Sequence, residues 1–191
     1  HQVVRDRRRQ RHIVDLAARV PDGPYRQHLR VLDHPLAVAY CVPGVRPRVV
    51  VSRGALATLA ADELAAVLAH ERAHVRGRHD LVVQPFVAWE ATFPFLRPAR
   101  AATAAVSLLV EMLADDVAAR RTSRRSLARA LVQLVVGRVP AGALGAARSP
   151  VAARVGRLIE PPPPPPWWLP TAAYTAAGAL VFLPGVLLLR V

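Results

Sequence analysis

The chain of 191 residues contains no lysine and no asparagine, so all 26 of its basic residues are arginines. With so much alanine, valine and proline, this is the codon signature of a GC-rich genome, and the missing lysine carries no functional meaning. There is a single cysteine, Cys41, which excludes a disulfide within the chain and fits a reducing compartment. Acidic residues number only 13, which leaves a net charge of +13 and an attraction for anionic lipid headgroups or nucleic acid. No aromatic residue interleaves with the cluster Arg5, Arg7, Arg8, Arg9 and Arg11, and no recognition motif accompanies it. Direct nucleic-acid binding is therefore not expected.

Charge is absent altogether from Trp167 to Leu189. That length crosses about 30 Å of hydrocarbon as a helix, so residues 167–191 are expected to form a transmembrane helix. Trp167 and Trp168 would sit in an aromatic belt, with Arg190 at the far end. The run Pro161 to Pro166 is a stiff polyproline spacer of roughly 19 Å. Arginines cluster at the N-terminus and again at Arg148, Arg154 and Arg157. By the positive-inside rule, the domain between them faces the cytoplasm. The chain opens on His1 rather than methionine, which predicts a piece or processed form of a multi-pass membrane protein.

The expected organisation is a basic juxtamembrane helix over 1–20, a domain over 21–160, the spacer over 161–166 and the terminal span. Residues 3–19 read as a basic amphipathic helix. Strand composition appears at 28–32, 36–42 and 48–52, the last containing Val49-Val50-Val51. These predict a small sheet of two or three strands. Helices are expected over 54–59, 62–77, 100–120, 123–136 and 150–159. Residues 81–98 are apolar but broken by Pro85, Pro94 and Pro98. The fold class expected is α+β, mostly helical.

The helix over 62–77 carries His70-Glu71-Arg72-Ala73-His74. Histidines at i and i+4 lie on one helix face and can grip one zinc ion, and the intervening glutamate can activate water as a general base. Leu64, Val67, Leu68 and Val75 form an apolar stripe, and Glu71 falls on it. A carboxylate on a buried face is costly unless a metal or its water compensates. The bland alternative is two surface histidines beside a Glu–Arg pair. Catalytic zinc takes three protein ligands, so a third donor is required. Glu111 is the leading candidate, because Asp115 follows one turn later on the same face and can support a ligating histidine. Asp80 and Glu90 are the other two candidates. Tyr40, Arg154 and Arg157 are candidate oxyanion stabilisers. The strand at 36–42 can bind substrate backbone as an added strand.

The motif, the preceding Asp62 to Ala69, the following Arg78-His79-Asp80, and Glu111 to Asp115 together resemble the BlaR/MecR-type integral-membrane zinc metallopeptidases. More distantly they are similar to the HtpX/Ste24-type membrane peptidases. Val49 to Leu56 and Ser149 to Leu158 resemble the same families. The resemblance implies a gluzincin-like peptidase domain with Zn2+ on His70, His74 and Glu111, and Glu71 as the catalytic base. It implies a protein or peptide substrate; in the sensor members this is a transcriptional repressor or the receptor itself. It also implies contact with membrane lipids and a site on the cytoplasmic side of the cell membrane. The chain departs from the resemblance in having no penicillin-binding sensor and in placing Ala60 or Ala61 where a small polar cap usually stands. A quality-control protease of the HtpX type and a non-catalytic membrane scaffold are the competing readings.

Overall fold

The structure is a computed structural model that describes residues 18–19, 29–42, 47–136, 150–164, 166–169, 171–172 and 175. The chain divides into two units, His1–Glu160 and Pro161–Val191. The first unit has the element order β1 (Ala18–Arg19), β2 (Leu29–Leu32), β3 (Ala39–Val42), β4 (Arg48–Ser52), α1 (Arg53–Thr58), α2 (Ala61–Gly77), α3 (His79–Thr92), α4 (Arg97–Arg121), α5 (Arg124–Val136) and α6 (Pro150–Ile159). This is a mostly helical α+β fold.

Three strands of four or five residues make the body of the sheet, and the two-residue β1 extends it to the order β1-β2-β4-β3. β4 lies in the middle, parallel to β2 and antiparallel to β3. Its position explains its composition. Val49 and Val51 pack on one face with Ala37, Ala55, Leu59, Val67 and Ala130, while Val50 packs with Val42 on the other. A strand buried on both faces reads as a continuous β-branched run. β3 forms one edge of the sheet. The helix expected over 3–19 is corrected at its end: Ala18 and Arg19 are strand, paired with Leu32 and Val31. The rest of that expectation falls outside the described residues.

Ser52 fixes the turn out of the sheet. Its buried hydroxyl donates to the Leu36 carbonyl at 2.6 Å and accepts from the N–H groups of Val38 and Ala55 at 2.9 and 3.0 Å. The last of these caps α1. Gly54 is needed next to it, because a Cβ there would collide with the Pro35 carbonyl. The bend at Pro35 and Leu36 also explains why β3 begins at Ala39 rather than at residue 36.

α2 starts at Ala60, which has no side-chain oxygen to cap it. The reciprocal half of a capping box stands alone: Glu63 accepts the Ala60 N–H at 2.9 Å. Ser126 donates to Asp62 at 2.6 Å and ties the same end to α5. Residues expected to be broken by Pro85 instead form one helix, α3, with Pro85 inside it. The break comes only at residues 93–96, around Pro94.

α2 packs closely on α4. Small residues line the contact: Ala66, Ala69 and Ala73 on α2, and Ala114 and Ala118 on α4, are all buried. Ala66, Ala69 and Ala118 join Leu127, Leu131 and Leu158 in one core cluster that unites four helices. In the second unit, residues 161–164 and 166 are exposed and form neither helix nor strand. Among the described residues no helix is long and apolar enough to cross a membrane, and most of the expected span over 167–191 lies outside them.

The alanine contact makes a clear prediction. Ala118→Leu has no space to occupy and is expected to destabilise the fold by about 1–3 kcal/mol, read by chemical denaturation. An unchanged unfolding midpoint would mean that the two helices can separate freely.

Candidate metal centre

His70 and His74 project from α2 at a spacing of one turn, and their Nε2 atoms lie 3.0 Å apart. Glu111, from α4, faces both: Oε2 is 3.4 Å from His70 Nε2 and Oε1 is 3.3 Å from His74 Nε2. One ligand atom from each of the three residues lies within 4.8 Å of the others. Two imidazole nitrogens and a carboxylate converging on one point form the donor set of a catalytic zinc site, with room left for water. The residues present therefore fit the metal.

The metal-free electrostatics favour a cation there. Burial opposes the charge of Glu111, but contacts with His70, His74 and Arg154 hold its carboxyl far below the usual carboxylate range. Burial also opposes protonation of His70, yet Asp115, Glu111 and Glu71 outweigh it and lift the imidazole to about 9. A metal bound there would have to displace the proton that these carboxylates favour on His70.

Each ligand is held from behind. His70 Nδ1 lies 2.9 Å from Asp115 Oδ1, although off the line of an ideal N–H hydrogen bond. Asp115 is 1% exposed, and such a carboxylate must be paired. Arg154 from α6 pairs it with two bonds of 2.7 Å from Nε and Nη2. The same guanidinium reaches Glu111 Oε2 at 2.8 Å through Nη1. Arg154 thus fixes both carboxylates of α4 at once. Arg154, one of the candidate oxyanion stabilisers, is paired with Asp115 and Glu111 where it lines the cleft. Arg157 is likewise held by Asp116, through two bonds of 2.7 Å. Tyr40 lines the cleft.

His74 is held by a residue the sequence reading gave no role. His79 Nδ1 lies 3.1 Å from His74 Nδ1. With a metal on Nε2 of His74, its Nδ1 would carry the proton and donate to a neutral His79. Burial and the nearby His74 both press His79 toward the neutral form. The turn that delivers His79 is made by Arg78, in the left-handed region at φ 49°. Gly77 leaves room for the His79 ring, which a Cβ would strike. Asp80 lines the cavity beside His79 without joining the ligand group, and Glu90 lies at the far end of α3.

Glu71 faces the cleft from the same helix. Burial raises its pKa, and His70 and His74 partly offset this. Cys41 of β3 lies against it; burial and the Glu71 charge push the thiol up to about 12. The thiol is therefore held protonated beside the carboxylate. Nothing in the sequence linked residues 41 and 71; only the packing of the edge strand on α2 does. Two cavities, of about 320 and 380 Å³, flank the ligand group and share Cys41, His74 and Glu111.

Residues 4–87 match the model of peptidase family M48. The match takes in the sheet, both motif histidines and the start of α3, and it ends before Glu111. It supports the M48 metallopeptidase family, whose members are typically zinc-dependent. No curated protein and no solved structure matches the chain.

The role of Arg154 can be checked directly. Arg154→Lys keeps the charge but loses the two-pronged grip, and is expected to weaken zinc binding about 10–100-fold in competition with a chelator. A folded variant with unaltered zinc affinity would show that the guanidinium does not position Glu111 and Asp115.

Proposed function

We propose that the chain is a zinc metalloendopeptidase of the BlaR/MecR type. In this reading it works at the cytoplasmic face of a membrane and cleaves a regulator, such as a transcriptional repressor, or itself. The observation that carries the peptidase reading is the convergence of His70, His74 and Glu111, with Glu71 beside them on the same helix. The M48 match over the motif supports it independently. The signalling role and the membrane setting rest on the resemblance of the motifs and on the charge pattern of the sequence.

Zinc held by His70, His74 and Glu111 would polarise the scissile carbonyl and acidify water. Glu71 takes the proton of the attacking water and passes it to the leaving amine. Asp115 and His79 keep the ligating imidazoles in the tautomers that turn Nε2 to the cluster. An extended substrate pairs with the open edge of β3, which lines the cleft through Ala39, Tyr40 and Cys41. Its side chain next to the scissile bond enters the larger cavity, whose far wall is Leu127, Leu131, Leu134 and Val151. Those walls favour a bulky aliphatic or aromatic residue.

A peptide library tests this reading. The wild type is expected to cut beside bulky apolar residues. Glu71→Gln is expected to cut nothing while retaining zinc in elemental analysis. Hydrolysis by a Glu71→Gln protein would refute the general-base assignment.

A further inference from the structure

The hairpin of α3 and the first half of α4 has a surface unlike the rest of the unit. Between Asp80 and Glu111 the charged residues are Glu90, Arg97 and Arg100. Leu81, Val82 and Trp89 lie along one stripe of α3, and all are exposed. Phe93 and Phe95 form the tip, Phe95 being 76% exposed. On α4 Leu109 and Leu113 are exposed as well, Leu109 at 63%. Exposed aliphatic and aromatic side chains this concentrated mark a contact surface.

The hairpin is built to present this surface as a rigid unit. Thr103 on α4 donates to the Phe86 carbonyl of α3 at 3.1 Å. The Phe93 and Phe95 rings meet edge to face, with centroids 6.2 Å apart. Arg97 and Arg100 follow the aromatic tip directly, and both are exposed.

We infer that this face lies on an anionic bilayer, with Trp89, Phe93 and Phe95 at the level of the headgroups and Arg97 and Arg100 on lipid phosphates. Two observations choose lipid over a protein partner. A tryptophan and two phenylalanines beside arginines are the composition of a membrane interface. The chain's charge of +13 complements an anionic leaflet. α3 is about 21 Å long by its helical rise, short of the 30 Å or so of a hydrocarbon core, so the hairpin rests in the interface and does not cross. This contact is independent of the peptidase reading and of any segment beyond Glu160.

Trp89 reports on it alone once Trp167 and Trp168 are changed to phenylalanine, since these are the chain's only tryptophans. The full-length double variant is mixed with vesicles of phosphatidylglycerol and brominated phosphatidylcholine. Trp89 emission is expected to shift to the blue and to be quenched by bromine. Vesicle partitioning is expected to fall about five-fold for each of Arg97→Ala and Arg100→Ala. Trp89 left unquenched on vesicle-bound protein would overturn the inference. So would a blue-shifted Trp89 in a dimer without lipid, since a second copy would then be the occupant of this face.

Discussion

Asp115 is a carboxylate with almost no exposure, and its charge is tolerable only because Arg154 grips both of its oxygens. That pair joins α4 to α6, and through His70 Nδ1 it reaches α2. Breaking a buried pair by removing one partner typically costs about 3–5 kcal/mol, far more than the pair adds over an apolar substitute. Its value is therefore one of position. The guanidinium that neutralises Asp115 also orients Glu111, so one arginine sets the direction of the acidic side of the cluster while α2 sets the two histidines.

The packing around this pair follows from side-chain size. Buried alanines at 66, 69, 114 and 118 let α2 and α4 approach closely on either side of the ligand cluster. Only at that separation can a glutamate on one helix meet imidazoles on the other. The sheet plays the complementary part. Valines buried on both faces fix β4, β4 fixes β3, and β3, an edge of the sheet among the described residues, brings Cys41 to Glu71.

Residues related by helical periodicity were legible in the sequence. His70, Glu71 and His74 follow from a spacing of one turn, and Glu111 with Asp115 from the same spacing on another helix. Val49 to Val51 announced the central strand. Arg154 was legible only as one of three candidate oxyanion stabilisers; its pairing with Asp115 was not, because it spans 39 positions in a chain with 25 other arginines. His79 was hidden by a turn that a non-glycine residue makes in the left-handed region, which no composition rule flags. Pro85 reads as a break and is absorbed within a helix, and the two residues of β1 are too short a signal to separate from a basic helix.

The central claim is that His70, His74 and Glu111 are the protein ligands of one zinc ion, with His79 and Cys41 close by but not bound to it. X-ray absorption fine structure of the zinc-loaded chain tests this most directly. The account predicts nitrogen and oxygen neighbours at about 2.0–2.1 Å, with multiple scattering from two imidazoles and no sulfur. A sulfur shell near 2.3 Å, which would bring Cys41 onto the metal, or scattering from a third imidazole, would contradict it.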